Sequence, residues 1–123
     1  MVKSYRDLKV WEKAMDLVVE SYRLSNSLPK SEMFGLASQI RRAAVSIPAN
    51  IAEGHGRDHL GDYLRHLSIA NGSLMELETH FVVMTRLSYA KVEDVHKALD
   101  LTGDVGRMLA GLTSKLKTHL AAA

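Results

Sequence analysis

The sequence predicts an all-α protein that folds as an antiparallel up-and-down four-helix bundle. Apolar residues recur at alternating steps of three and four along four successive segments, runs typical of β-strands are missing, and only two prolines occur among 123 residues. These steps average about 3.5 residues, the period that keeps one face of a helix turned towards its neighbours in a slightly supercoiled bundle. Four antiparallel helices joined by short turns would bury all four apolar stripes.

The first helix is expected over residues 5–26 and the second over residues 31–55. Ser4 and Asp7 have the three-residue spacing of a capping box, which predicts a helix start. Pro29 disfavours helical geometry at the residue before it. We therefore expect it to separate the two helices.

The second helix carries a proline in its interior. Pro48 removes the backbone hydrogen bond to the carbonyl of Ala44, at a cost of about 3 kcal/mol if nothing compensates. The sequence therefore predicts a proline-kinked second helix, either as a simple bend around the core or with the freed carbonyl accepting a bond from a side chain. Near the end of this helix Glu53 opposes the helix dipole, so we expect Arg57 to neutralise it.

The third and fourth helices are expected over residues 60–87 and 92–120. The third has the most regular apolar stripe, which consists of Tyr63, Leu67, Ala70, Leu74, Leu77, Phe81 and Met84. The fourth stripe shifts in phase near residues 102–106, so its middle is the least regular part of the pattern. Residues 1–123 are expected to form one domain, long enough to bury roughly two-thirds of its unfolded surface.

The amino-acid composition excludes several classes of function. Lys and Arg outnumber Asp and Glu by 16 to 14, which lacks the excess positive charge typical of a dedicated nucleic-acid-binding domain. The absence of cysteine excludes disulfides, thiolate metal sites and thiol catalysis, and agrees with a reducing compartment. No segment approaches the roughly 20 apolar residues of a membrane span, and the N-terminus does not resemble a signal peptide. We therefore expect a cytoplasmic protein without a membrane partner.

A polar stripe lies opposite the apolar stripe of the second helix. On a helical wheel it contains Gln39, Arg42, Ser46, Asn50, Glu53 and Arg57, with Ala43 and Ala49 beside them. A solvated outer face is the simpler interpretation. However, the short side chains around Ser46 would let another backbone approach closely, and the stripe mixes hydrogen-bond donors with acceptors. We interpret it as a candidate interface between copies of the chain.

Three segments resemble a known family: DLKVW, LPKSEMFGLASQIRRAAVSIPANIAEGHGR and YLRHLSIANGSLMELETH. This is the four-helix-bundle family associated with intervening sequences in bacterial 23S rRNA genes, also called S23, and the resemblance extends to about Leu87. It implies an up-and-down bundle that assembles into a ring-shaped homo-oligomer, a pentamer. It also implies similarity to the accessory protein of diversity-generating retroelements, which binds nucleic acid and engages a reverse transcriptase.

The resemblance also supplies a set of motif residues, which we expect to serve the oligomer interface or the architecture rather than catalysis. Carried over by position, they are Gln39, Arg41, Arg42, Ser46, Pro48, Asn50, Glu53, Gly54, Arg57, Ser73, Glu76 and Glu78. The chain departs from the family pattern in the following turn, where DHLGDY adds Asp58 and Asp62 in place of the usual positive charge. That departure argues against phosphate binding at this turn.

Histidines and carboxylates are the candidates for metal binding or catalysis. The six histidines are His55, His59, His66, His80, His96 and His119. A di-iron bundle needs paired Glu-x-x-His motifs on facing helices, whereas this chain has one, and it contains no GxSxG elbow. We therefore expect surface histidines and no catalytic residue, metal or cofactor. Glu76 and Glu78 are expected to pair with arginines of the second helix, for which the candidates are Arg41 and Arg42.

A candidate nucleic-acid-binding surface consists of basic residues on the first helix. Arg6, Lys9 and Lys13 are spaced to share one outer side. We expect Arg57 and Arg65 to extend this surface. Acidic residues continue the same side, so a plain solvated face is the alternative interpretation. In a ring, a small patch repeats once per subunit, and modest charge per chain becomes multivalent attraction for phosphate.

The sequence therefore predicts a non-enzymatic, homo-oligomeric bundle that acts as a scaffold or as an electrostatic RNA- or DNA-binding accessory protein. The alternative is an adaptor without a nucleic-acid role, whose partner is a reverse transcriptase or another protein. A metal-binding bundle built on histidines and carboxylates is the least favoured hypothesis.

Overall fold

The computed structural model describes residues 2–122, which contain four α-helices and no strand. The helices are α1 (Lys9–Asn26), α2 (Leu36–His55), α3 (Leu60–Arg86) and α4 (Val92–Ala122). Short 3-10 turns at Tyr5–Asp7 and Lys30–Glu32 precede α1 and α2. The predicted all-α four-helix bundle is thereby confirmed.

The four helices pack in a square arrangement. Each helix packs against the next one along the chain and α4 closes against α1, whereas the diagonal pairs α1 and α3, and α2 and α4, do not pack against each other within residues 2–122. Between α2 and α3, Ser46 meets Ser73 and Asn50 meets His66, so residue numbers rise in one helix as they fall in the other. These two helices therefore run antiparallel. The antiparallel course of the other pairs and the kink at Pro48 stay predictions.

The α-helices α1 and α2 begin later than the sequence predicts. Ser4 and Asp7 do form a capping box, but it encloses only the turn Tyr5–Asp7. Leu8 then adopts an extended conformation, with φ −77° and ψ 124°, and packs against the core before α1 begins. The apolar contact of Leu8 thus interrupts a helix that local capping alone would have started at residue 5.

The two turns at one end of the bundle are joined by a hydrogen bond. Tyr89, between α3 and α4, donates its hydroxyl to Glu32 Oε2 at 2.9 Å. The other carboxylate oxygen of Glu32 accepts the backbone N–H of Leu36, at 3.2 Å, in the first turn of α2. Glu32 therefore fixes the start of α2 against the turn that follows α3.

The core runs the length of the bundle and all four helices contribute to it. Its largest fully buried side chains include Leu17, Ile40, Ile47, Ile51, Leu67, Leu74, Leu77, Phe81, Met84, Val95, Val105 and Leu109.

The helix α4 stays continuous through the predicted phase shift. There the buried Thr102 donates its hydroxyl to the carbonyl of Leu99 at 2.7 Å, and at Gly106 a β-carbon would lie 3.4 Å from Leu74. Small or hydroxyl-bearing residues thus let α4 pack closely against α3 where its apolar pattern shifts.

A buried carboxylate stabilises α1 near its C-terminal end. Glu20 is 4% exposed and accepts a hydrogen bond from Arg23 Nε at 2.9 Å. This bond holds the pKa of Glu20 below its ordinary value of 4.5, although partial burial acts in the opposite direction. Lys97 of α4 lowers the pKa further, so the same carboxylate faces α4.

Within residues 2–122, none of the helices combines the length with the hydropathy that crossing a bilayer requires.

Replacing Phe81 with alanine should lower the free energy of unfolding by about 3–5 kcal/mol, because Phe81 is fully buried and its loss leaves a cavity. The adjacent Val82 is 41% exposed, and Val82→Ala should change stability by no more than about 0.5 kcal/mol. Urea denaturation of both variants measures the difference. Equal losses would contradict the placement of the core.

The variant Glu20→Gln should have a weaker dependence of stability on acid pH than the wild type. Since the pKa of Glu20 is lower in the folded chain, its ionised form stabilises the fold above pH 4.5, and this contribution is lost as the pH falls through the folded-state pKa. The free energy of unfolding should therefore fall less steeply below about pH 5 in the variant. Glu12→Gln, an exposed carboxylate on the same helix, is the control and should keep the wild-type slope.

Candidate functional site

The polar stripe of α2 divides between the seam with α3 and the outer surface. Ser46 and Asn50 are half-buried and reach side chains of α3. Gln39 and Arg42 are exposed on the outside of the helix. The side of α2 that the sequence assigned to another copy is therefore partly used within the chain, and its outer part stays accessible.

A chain of hydrogen bonds links α2 to α3. The hydroxyls of Ser46 and Ser73 lie 2.8 Å apart. Asn50 Nδ2 donates to the carbonyl of Ser46 at 2.8 Å, and Asn50 Oδ1 lies 3.0 Å from His66 Nδ1. Because the amide nitrogen of Asn50 already donates to Ser46, its oxygen is the acceptor, so Nδ1 of His66 carries the hydrogen. Asn50 therefore determines the orientation of the His66 ring.

His66 is buried, which corrects the expectation that the histidines lie on the surface. It is 5% exposed, and its Nε2 has no hydrogen-bond partner within residues 2–122. The nearest carboxylate oxygen, Oε1 of Glu53, is 4.0 Å from Nε2 and accepts a hydrogen bond from Arg57 at 3.0 Å. The sequence contained a signal for this burial: His66 is three residues after Tyr63 and four before Ala70, both on the apolar stripe.

The two helices approach most closely at Gly54, in the last turn of α2. A β-carbon at this position would lie 2.8 Å from the β-carbon of His66 and 3.0 Å from the ring of Tyr63. The ring of Tyr63 also packs edge to face against His55, with centroids 5.8 Å apart. Burial raises the pKa of the Tyr63 phenol above its ordinary value of 10.0. Gly54 is therefore required by the close approach of the two helices.

Arg41 binds α1 and does not pair with Glu76 or Glu78. Its guanidinium donates to Ser25 Oγ at 2.9 Å and to Asn26 Oδ1 at 2.8 Å. These contacts fix the C-terminal end of α1 against the start of α2. The prediction that Glu76 or Glu78 pairs with Arg41 was wrong, because the Arg41 guanidinium binds Ser25 and Asn26 of α1 instead.

The acidic residues of α3 find other partners. Glu76 lies 3.1 Å from Nε2 of His80, one turn along the same helix. Glu78 accepts a long hydrogen bond of 3.4 Å from the hydroxyl of Thr102 in α4. Arg42 makes no ion pair within residues 2–122. Its guanidinium is therefore available at the surface.

The sequence left two possibilities for Pro48, a simple bend or a side-chain bond to the carbonyl of Ala44. Pro48 is buried inside α2, and the helix continues on both sides of it from Leu36 to His55. The side-chain bond next to it goes from Asn50 to the carbonyl of Ser46 and not to that of Ala44. The bend stays a prediction.

A shallow pocket of about 400 Å³ lies where the polar stripe meets α3. Its lining consists of Gln39, Arg42, Ala43, Ser46, Ser73 and Glu76. The small side chains form a floor, and the longer Gln39, Arg42 and Glu76 stand around it. We call this the α2–α3 pocket. Apart from Ala43, all of its lining residues belong to the motif set carried over from the family resemblance.

The basic candidates belong to different elements of the bundle. Lys9 and Lys13 belong to α1 and Arg65 belongs to α3, and these two helices occupy diagonally opposite corners of the bundle. Arg57 is already paired with Glu53. Arg6 lies over the ring of Tyr5, 5.7 Å from its centroid. The extension of the α1 surface by Arg57 and Arg65 therefore stays a prediction.

The histidines do not assemble a metal site within the described residues. No group of three His, Cys, Asp or Glu side chains in the range 2–122 is close enough to share an ion. His96, from the single Glu-x-x-His motif, lies 3.2 Å from Asp100 on the same helix. His66 faces Asn50, as described above, and its Nε2 lies 4.0 Å from the nearest carboxylate oxygen, beyond hydrogen-bond distance.

The model of the 23S rRNA-intervening sequence protein family matches residues 6–111, which include all of α1, α2 and α3. The chain belongs to this family. The family match covers every residue of the polar seam and of the α2–α3 pocket. The predicted relationship to the 23S rRNA intervening sequence proteins is thereby confirmed.

A solved structure shows the same fold. It is the crystal structure of a protein of unknown function from the S23 ribosomal protein family of Bacteroides thetaiotaomicron VPI-5482, with a TM-score of 0.79 and 24% sequence identity. The match covers 85% of this chain and 95% of that one. No curated protein matches the chain significantly. The comparisons therefore establish the family and the fold.

Replacing Gly54 with alanine should destabilise the protein by about 1–3 kcal/mol, because the added methyl group would force α2 and α3 apart. The matched control is Gly72→Ala in the middle of α3, where nothing lies within 4 Å of the position that the new methyl group would take. There alanine should stabilise the helix by roughly 0.5–1 kcal/mol. Thermal unfolding distinguishes the two, and stabilisation by both substitutions would contradict the close contact.

Proposed function

We propose that this family member is a non-enzymatic scaffold that assembles with copies of itself into a ring and binds RNA or DNA through electrostatic contacts. The observation that carries the proposal is an excess of apolar side chains on the outer faces of a bundle that has already buried its own stripes. On α1 they are Met15, Val19 and Tyr22, and on α3 they are Ile69, Met75 and Val82. Following the family resemblance, the proposed ring is a pentamer in the cytoplasm.

The outer apolar side chains favour self-assembly. Val19 is 70% exposed, and Met15 and Tyr22 follow the same side of α1 at helical spacing. Soluble proteins expose single apolar side chains routinely, whereas a contiguous group supports an interaction surface. Met75 and Val82 share a side of α3 on which Ile69 does not lie. Because α1 and α3 are diagonally opposite, the α1 group and this pair are different surfaces. Contact between two different surfaces is heterologous and closes into a ring when the rotation between neighbours permits it.

The outer side of α1 also supports an electrostatic role. Arg6, Lys9 and Lys13 make no ion pair within residues 2–122. Each chain offers only a few such cations, so a single copy would bind a phosphate backbone weakly. Repetition around a ring makes the contact multivalent and strongly dependent on salt. A few scattered cations do not read base edges, so the proposed binding follows the backbone rather than the sequence.

An adaptor without a nucleic-acid role is the second candidate, because the same outer apolar side chains suit a protein partner such as a reverse transcriptase. The two candidates differ in one measurable property. Electrostatic binding to phosphate weakens steeply with salt, whereas burial of apolar surface does not.

The double variant Lys9→Glu, Lys13→Glu should bind a labelled structured RNA and a labelled DNA duplex more weakly than the wild type. The slope of log affinity against log salt should become shallower by about 0.9 for each DNA phosphate contact that is lost. Fluorescence anisotropy over a salt series measures both quantities. The control is Lys30→Glu, Lys91→Glu, which makes the same charge change at exposed positions in the turns at the other end of the bundle.

Two outcomes would contradict the nucleic-acid role. One is the absence of binding by the intact assembly at low salt, which would leave the adaptor as the better proposal. The other is an equal loss of binding in both double variants, because net charge rather than the α1 surface would then account for it.

A further inference from the structure

A phenylalanine stands fully outside the bundle. Phe34 is 100% exposed, and no other large apolar side chain within residues 2–122 reaches that fraction. Its neighbours Met33 and Leu36 pack against the core, so the chain is anchored on both sides of it. Burial of a phenylalanine side chain away from water is stabilising, and this ring forgoes that gain within its own chain. It is therefore a candidate for burial against another molecule.

The turn that carries Phe34 is held in place from several directions. Glu32 accepts hydrogen bonds from the hydroxyl of Tyr89 and from the backbone N–H of Leu36. The carboxylate of Glu32 also lies against Gly35, where a β-carbon would meet Oε1 at 2.8 Å. A ring presented from a fixed turn loses little conformational entropy when it binds, which suits an interface anchor.

The α2–α3 pocket on the same chain is lined mostly by polar side chains, and the buried Ala43 is its apolar part. Its short side chains, Ser46 and Ser73, leave room for a large one. Arg42 stands at its edge without an ion pair within residues 2–122, and a guanidinium over an aromatic face is an attractive arrangement. Phe34 does not touch this pocket in its own chain, because the ring is fully exposed.

The pocket lies in the half of α2 that follows the turn with Phe34. It extends from Gln39 to Ser46, which is about 5–15 Å along the helix from Leu36 at 1.5 Å per residue. Two bundles packed side by side, with an offset of that size along their axes, would bring the Phe34 ring of one copy to the pocket of the next. A larger groove of about 700 Å³ lies between the start of α3 and the end of α4, away from this turn, and a neighbour packed in this way does not reach it with Phe34.

We propose that Phe34 of one copy occupies the α2–α3 pocket of the next copy, with Arg42 of the receiving copy against its ring. The proposal rests on the self-assembly proposed above and adds one specific contact to the apolar surfaces of α1 and α3. Because Phe34 and the pocket are different parts of the chain, each copy inserts its Phe34 side chain into one neighbour and receives the Phe34 side chain of another. The contact is heterologous, as a closed ring of subunits requires.

The first test compares Phe34→Ala with the wild type by sedimentation velocity over a range of protein concentrations. Loss of an interface anchor should weaken each contact at least about 30-fold, so the variant should sediment as smaller species. Since Phe34 is fully exposed, the thermal unfolding of the monomer should not change. The control is Val92→Ala, another exposed apolar residue at this end, 70% exposed at the start of α4, which should assemble like the wild type.

The second test mixes Phe34→Ala, which lacks the aromatic side chain, with a variant whose pocket is blocked. Ser73→Trp fills the pocket and should also prevent assembly by itself. If circular dichroism shows that this variant does not fold, Arg42→Glu replaces it, because Arg42 is exposed and its substitution does not disturb the core. Mixed with Phe34→Ala, the pocket variant should form a one-to-one heterodimer that does not extend, since the mixture retains one intact ring and one intact pocket per pair.

The outcomes separate this contact from self-assembly in general. A wild-type chain that stays monomeric overturns the proposed assembly together with this contact. A wild type that assembles while Phe34→Ala assembles equally well overturns this contact alone. Mixed variants that stay monomeric show that ring and pocket do not bind each other, and also overturn it.

Discussion

The close approach of α2 and α3 at Gly54 is the constraint on which the arrangement of this bundle depends. Where the helices meet there is no room for a β-carbon at this position. Further along the seam the helices are joined by hydrogen bonds among Ser73, Ser46, Asn50 and His66, which replace apolar contacts with polar ones. A buried polar group is stable only if its partners are correctly placed. The seam therefore fixes the register of the two helices more strictly than apolar packing would.

This seam also determines which residues remain for interactions with other molecules. The side chains of Ser46 and Asn50 are committed to α3, and Arg41 is committed to α1. Arg42 stays exposed, beside a pocket whose floor is shallow because its residues are small. The features that hold the bundle together thus create the surface on which we place the neighbouring subunit. Architecture and assembly share one helix, and catalysis has no part in the proposal.

Local sequence patterns predicted the helices better than they predicted the contacts between side chains. The stripe of α3 was predicted correctly from Tyr63 to Met84, because regular spacing survives in any environment that buries one face. The start of α1 was not, because Leu8 packs into the core and interrupts the helix after the capping box. The pairing of Glu76 with an arginine also failed, because His80 lies one turn away on the same helix. A pattern along one helix carries no information about which group of another helix comes nearest.

The sequence by itself determined the fold class, the approximate positions of the four helices and the family. These follow from periodicity, proline and glycine positions and motif residues, all of which are local in the chain. Only the tertiary structure decided that His66 is buried, that the basic residues of α1 and α3 lie at opposite corners, and that Phe34 stays outside. Such facts depend on how the four helices are placed around one another. That placement results from the packing of all the stripes together, and no single stripe specifies it.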